Sequence, residues 1–438
     1  MLAWIWAKPL GIGMGVLDLR SLSAIFGSLT VPVAFLAGRE LSSRRAGLIA
    51  AAFVALNPFL VWYSQEARAY ALLVFLITLG LYLFARALRS GSARNLLSWS
   101  VVSILALSSH YFAAFVVIPE ALWLIAVVRP RLRAVAATAL VGAAGVALLP
   151  LAILQEGAGH PDAFTAIPLF TRTWMALANF ASSYSPDHRQ GHTPIGTVQV
   201  AASCAAAGVA VAAALIVVRR GSGAERRAAL MSLSIGVAAV AIPAGLALVG
   251  DDYLDSRNVI GAVAPLLVAG AIALGATGSR RAGPIVATGV CAIFAFVLVA
   301  VSLNPQLQRR DWRGLASAIG PTVTKRVVIA PKTARWPLVY YLHARPLGPV
   351  RKQPALTRQL DLVTSRPHVM APKAYSRLEM RPVAGDLWLW RYRFARPRPI
   401  NPRTVADHRW ILQPAAGLVT GSFHAGHRRR SAGGSGHA

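Results

Sequence analysis

Apolar positions in this chain come in long unbroken runs, and the polar positions gather in the connectors between them. The runs lie near 19–38, 46–62, 70–88, 96–108, 112–128, 133–154, 195–217, 228–250, 258–277 and 284–303. Most approach the roughly 20 residues that a helix needs to cross a bilayer core of about 30 Å. The pattern predicts an α-helical polytopic membrane protein of about ten spans. The runs near 96–108 and 112–128 are also compatible with one broken hairpin. The pattern changes near residue 304. LNPQLQRRDWRGLASAIG reads as a polar lead into a short amphipathic helix, KRVVIAP as a buried strand, RWPLVYYLH as a helix and GDLWLWRYRF as an alternating strand. The chain thus divides into a transmembrane domain over 1–303, a small C-terminal extracytoplasmic α/β domain over 304–399, and a basic, partly disordered tail over 400–438 that ends HRRRSAGGSGHA.

The connectors alternate in character. GRELSSRRAG, RALRSGSARN, RPRLR, RRGSGAERR and GSRRAG are rich in arginine. WYSQEARAY, SSHY, the stretch 155–194 and DDYLDSRN carry little net positive charge, and two of them are rich in acids and aromatics. Arginine and lysine mark cytoplasmic loops, so the first set is assigned to the cytoplasm and the second to the outer side. The protein is placed in the cytoplasmic membrane as a multi-pass chain.

Composition supports this and removes other classes. Of 438 residues, 55% are hydrophobic and only 14% charged, and the mean hydropathy is +0.53, whereas about 25% charged residues is usual in soluble domains. The net charge of +29 is in part the positive-inside signal, and no nucleic-acid partner is expected. On the basic outer domain, membrane lipids or lipid-linked phosphates are the better partners, since a Lys or Arg near an anionic surface gains about 1 kcal/mol. Arginine-biased composition accounts for much of that charge. Cys204 and Cys291 lie in apolar runs and read as small buried hydrophobes. There is no P-loop, no dinucleotide-binding glycine fingerprint, no HExxH and no metal-type Cys/His spacing.

The informative polar residues fall on the outer side. Glu66 and Arg68 open the third apolar run, with Tyr70 behind them. His110 and Tyr111 occupy the next outer turn, and Asp251, Asp252, Asp255 and Arg257 open the ninth run. The stretch 155–194 adds Glu156, His160, Asp162, Arg172, Asp187, His188 and Arg189. If these turns converge, they make a pocket of acids and bases at the membrane boundary. Acids bind cations or remove a proton from a hydroxyl. Arginines hold phosphate with forked hydrogen bonds. Each group has a plainer reading: Arg68 reaching headgroups from a solvated turn, His110 satisfied by backbone, and the aspartates as a hydrophilic turn. Glu120 stands apart in FVVIPEALWLIAVV, as a carboxylate at membrane depth beside Pro119. A protonated or helix-bonded glutamate explains it, and it is left out of the catalytic set.

The run from Arg20 through WYSQEARAYAL, then SHYFAAF, then DSRNVIGAVAPLLVAGAIAL, then DWRGLASAI with a strand and YYL, is similar to the bacterial membrane glycosyltransferases of family 39. That group includes protein O-mannosyltransferases and aminoarabinose transferases. The resemblance covers nearly all of 10–395. It implies a GT-C-like fold and an inverting transfer of a sugar, outside the cytoplasm, from a polyprenyl-phosphate carrier to a glycan, lipid or protein acceptor. It implies substrate-binding roles for Glu66, Arg68, Tyr70, His110, Tyr111 and Arg257. Some relatives use a divalent metal near the donor phosphate, which leaves a metal ion open as a cofactor. The family's catalytic acid lies in the first outer loop, and that loop is expected upstream of Met1. Asp18, before Arg20, is a poor match to it. A catalytically inactive truncated relative that binds lipid carrier is therefore one alternative reading. A lipid or sugar transporter is the other, although internal repeats and several polar groups at membrane depth, the marks of transporters, are missing.

Overall fold

The computed structural model describes residues 16–156, 167–182, 194–304, 309–321, 326–346, 355–364, 377–383, 387–400 and 415–420. Two compact units divide the chain, Met1–Ala300 and Val301–Ala438.

Every predicted apolar run becomes helix in the first unit. Its helices are α1 (Val16–Leu41), α2 (Arg44–Leu56), α3 (Pro58–Ser64), α4 (Tyr70–Ser90), α5 (Ala93–Ser109), α6 (Ala114–Val127), α7 (Arg131–Glu156), α8 (Leu169–Ser182), α9 (Pro194–Arg220), α10 (Gly223–Leu248), α11 (Val263–Leu274) and α12 (Ala282–Leu303). Among the described residues, five helices are long and apolar enough to cross a membrane singly, and a sixth if α2 and α3 count as one. That is fewer than about ten spans. Helices such as α11 are short, and at 1.5 Å per residue they fall below the thickness of a bilayer core. The outward faces are apolar: Leu132, Leu154, Phe170 and Leu248 are exposed. Only 6% of the spanning window of α7 is buried in the protein. Such a surface suits hydrocarbon. Both cysteines are free, and Cys204 lies on an exposed face of α9 instead of being buried as expected; a thiol facing lipid needs no protein cover.

The run predicted over 46–62 is broken. α2 and α3 meet at 59°, because proline disfavours helical geometry at the residue before it. Asn57 leaves the helix and caps α3 instead, accepting from Leu60 N at 3.0 Å, while Pro58 takes the first helical position. The same amide donates to Phe180 O at 2.8 Å and so ties α3 to α8. Asn57 is fully buried, so Asn57→Ala strands both a donor and a carbonyl; we expect a loss of about 2–4 kcal/mol, read as a lower unfolding midpoint in detergent.

The two classes of connector separate in space. At one end Arg89 reaches Glu40 Oε1 at 3.3 Å, Arg45 donates to Arg280 O, and Glu225 Oε1 accepts from Thr277 N at 2.9 Å. These are the arginine-rich connectors. The acid- and aromatic-rich connectors meet one another at the opposite end.

The second unit is a six-stranded mixed sheet of order β2-β6-β1-β3-β5-β4. Its strands are β1 (Arg326–Pro331), β2 (Arg345–Pro346), β3 (Ala355–Thr364), β4 (Arg377–Pro382), β5 (Trp388–Ile400) and β6 (Ala415–Thr420), with helices α13 (Trp312–Ile319) and α14 (Arg335–Leu342). β1 and β3 are parallel, and the other pairings are antiparallel. Alternation along the strands divides two cores. Val328, Val363, Leu389 and Leu418 pack with Leu315, Ile319 and Leu338 of the helices. Val327, Ile329, Leu360, Leu362 and Trp390 pack on the other side. The domain boundary expected at 399 cuts this sheet short, since β6 lies beyond it and pairs with β1 from Ala415 to Thr420. A short Ala/Gly-containing strand between arginine-rich stretches gives a weak periodic signal. The rest of the tail lies outside the described residues.

Beneath the end of α13 lies a charged network. Asp361 is fully buried and pairs with Arg391 Nε at 2.9 Å and with Arg326 Nη1 at 3.4 Å. The same guanidiniums donate to Ile319 O at 2.7 and 2.8 Å, and Arg326 Nη2 donates to Gly320 O at 2.8 Å. Cations thus cap the negative end of the helix.

Candidate functional site

The chain leaves α3 at Gln65 and makes an open turn before α4 begins at Tyr70. Ser23 of α1 fixes this turn, donating to Glu66 O at 2.6 Å. Within it, Arg68 lies 3.9 Å from the Glu66 carboxylate and its guanidinium stands 5.4 Å from the Tyr70 ring. His110 caps the end of α5 and packs on Tyr70 with ring centres 5.6 Å apart. Its other face meets Phe112 at 5.2 Å, and Phe112 meets Tyr253 at 5.4 Å. Tyr253 belongs to the turn that also carries Asp255 and Arg257, paired at 2.9 Å. The charges of Arg68, Arg257, Glu66 and Asp255 all reach the Tyr70 hydroxyl.

The turns assigned to the outer side therefore converge. Glu66, Arg68, Tyr70, His110 and Arg257 come together, with Asp255 as a sixth member. Tyr111 is turned aside, and its hydroxyl meets Gln155 Oε1 on α7 at 3.3 Å. Arg172 reaches the same turn from α8, with Nη1 2.6 Å from Asp252 Oδ2. Asn179, also on α8, donates to Ser256 Oγ at 2.9 Å. Sequence reasoning named Asp252 and Arg172 but had no signal for their pairing, and Ser23, Phe112 and Tyr253 were missed. One signal was available: Glu66-Ala67-Arg68 and Asp255-Ser256-Arg257 repeat the same acid-x-arginine spacing. In both cases the acid fixes an arginine at the mouth of an apolar helix. Asp18 and Arg20 sit at the start of α1. His160, Asp162, Asp187, His188, Arg189 and the side chain of Glu156 lie outside the described residues.

Burial, and then the nearby guanidiniums of Arg68 and Arg257, lower the His110 pKa from its usual 6.5 to about 4. The imidazole is neutral at pH 7. Among the described residues, its buried Nδ1 has no hydrogen-bond partner.

A cleft of about 530 Å³ opens on the first unit, lined by Phe53, Trp174, Phe180, Leu266 and Phe294 among other apolar residues, and it extends to Val217 and Arg226. α8 joins the two features, since it lends Trp174, Leu177 and Phe180 to the cleft and Arg172 and Asn179 to the polar turn.

Glu120 lies elsewhere. It is buried on α6, where Oε2 accepts from the Trp99 indole at 2.8 Å. The partner is a neighbouring helix, not its own backbone. The arrangement ties α6 to α5.

Among the described residues no three His, Cys, Asp or Glu side chains lie together as ligands for a metal. The carboxylates of Glu66, Asp252 and Asp255 each face an arginine. These residues do not fit a divalent ion.

No curated protein matches the chain. Among solved structures it is similar to the Archaeoglobus fulgidus oligosaccharyltransferase, crystallised in complex with Zn and sulfate, at 16% identity and a TM-score of 0.36. That match covers 73% of this chain and 46% of the other, so the chain spans about half the length of the structure it matches. Over residues 1–154, which hold the Glu66–Tyr70 turn and His110, the chain matches the family of dolichyl-phosphate-mannose-protein mannosyltransferases.

Proposed function

We propose that the protein is a membrane glycosyltransferase that takes a sugar from a polyprenyl-phosphate carrier and passes it to an acceptor hydroxyl on the outer side of the cytoplasmic membrane. The observation that carries this reading is the convergence of Arg68 and Arg257, from two separate turns, with α8 linking their turn to an apolar cleft. An amphiphile with a long hydrocarbon tail and an anionic phosphate fits both parts. The family match over 1–154 supports the same class of donor.

In this scheme the tail lies in the cleft between α8 and α12, and the phosphate faces the two guanidiniums. As the bond between sugar and phosphate breaks, negative charge grows on the leaving phosphate. Fixed guanidiniums stabilise that charge more in the transition state than in the bound donor. Glu66 and Asp255 hold the arginines in place, and Tyr70 closes the floor.

The test is a transfer assay with the purified full chain in proteoliposomes. We expect a radiolabelled sugar to move from a prenyl-phosphate donor to an acceptor. Movement of the intact lipid between leaflets would identify a transporter. Binding of the donor without transfer would identify a carrier-binding protein and overturn the enzyme reading.

A further inference from the structure

His110 carries no charge at pH 7 and, among the described residues, its buried Nδ1 has no hydrogen-bond partner. A buried polar atom in that state costs free energy unless some state of the protein satisfies it. The charges around it indicate which state. Arg68 and Arg257 face Glu66 and Asp255, so two cations balance two anions. A sugar-phosphate diester brings one further negative charge. A protonated imidazole would restore neutrality.

We propose that His110 is a third ligand of the donor phosphate, joining Arg68 and Arg257 and taking up one proton from solvent as the diester binds. This rests on the phosphate-pocket reading above. No covalent bond changes; a proton moves from water to an imidazole nitrogen, which then donates to a phosphate oxygen. Among the described residues, the groups that face His110 come from three turns. The turn before α4 supplies Glu66, Arg68 and Tyr70, the turn before α11 supplies Tyr253, Asp255 and Arg257, and its own turn supplies Tyr111 and Phe112.

The direction of the effect follows from linkage. In the empty pocket both guanidiniums oppose protonation of His110. A bound anion offsets them, so the bound form holds the proton to higher pH than the empty form. Affinity for the diester must then rise as pH falls from 8 towards 5. If the bound imidazole regains its ordinary pKa near 6.5, affinity rises about tenfold between pH 8 and pH 5.5. A diester has no second ionisation in this window, so the dependence is not the ligand's own; a phosphate monoester, with a second pKa near 6, would obscure it.

The experiment is titration calorimetry of the full chain in nanodiscs with a short-chain prenyl-phosphate mannose diester, at pH 5.5 to 8 and in buffers of differing ionisation heat. We expect proton uptake on binding and the tenfold gain at low pH. His110→Gln should bind with one affinity from pH 5.5 to pH 8 and without proton uptake. His110→Asn, with a shorter amide, serves as the second variant should the glutamine disturb the turn. Diester binding with no proton uptake, or with the same pH profile in both variants, overturns the role of His110 and leaves the phosphate pocket standing. Failure of the wild type to bind the diester at any pH overturns both.

Discussion

Arg257→Ala lowers sugar transfer from a prenyl-phosphate donor by about 100-fold or more. Charge-assisted hydrogen bonds contribute about 1.5–3 kcal/mol each, and a guanidinium presents two to a phosphate edge. Losing both where charge develops reaches that factor at about 1.4 kcal/mol per tenfold. Removal also leaves Asp255 without the cation 2.9 Å away, so a bare carboxylate then repels the phosphate. Arg257→Lys keeps the charge but not the fork and should recover part of the rate. Arg68→Ala should cost less, near tenfold, because the Arg68 side chain is 53% exposed against 31% for Arg257 and solvent screens it more. Arg89→Ala, at the opposite end of the helices, serves as the control and should leave turnover unchanged. Initial rates in proteoliposomes decide the matter, with monodisperse elution as the check on folding. Wild-type rates for both Arg257→Ala and Arg68→Ala would remove the phosphate site from this cluster.

Asp361→Ala unfolds the second unit. The carboxylate is fully buried between Arg326, itself 3% exposed, and Arg391. Its loss leaves two cations in a dry site without the carboxylate that they share. Breaking a buried pair from one side costs about 3–5 kcal/mol, a large share of what a domain of this size retains. The damage should extend to α13, whose last carbonyls are held by the same arginines. Limited proteolysis of the full chain reads this directly: cleavage within 326–400 should become rapid while the helices of the first unit stay intact. An unchanged digestion pattern would mean that the network is dispensable.

The helices could be placed from sequence because a bilayer demands apolar length, and length is visible in a single chain. The alternation of connectors was equally visible, and it separates the two ends of the first unit in space. The break at Asn57–Pro58 was legible in the dipeptide, yet the apolar run concealed it. Pairings were harder. Nothing in DDYLDSRN tells which aspartate meets Arg172 eighty residues away, because an ion pair leaves no periodic trace. Asp361 was invisible for a related reason: in a basic, alternating strand a lone acid reads as surface. Of the candidate site, Glu66, Arg68, His110 and Arg257 stand out at helix mouths, and the family resemblance implies a substrate-binding role for them and for Tyr70. Tyr111 was named with them and turns away, since the 3-10 turn that begins there rotates neighbouring side chains by about a third of a circle.

The strand order of the second unit also governs when that unit can form. β6 lies between β2 and β1, so a segment ending at Thr420 completes the interior of a sheet begun at Arg326. A ribosome releases the first unit's helices well before this strand emerges. Until then β1 and β2 have an empty lane between them, and the open edges are free to pair with another chain. A stop codon placed before residue 415 should therefore yield a protein whose helices insert but whose second unit is captured by quality-control proteases.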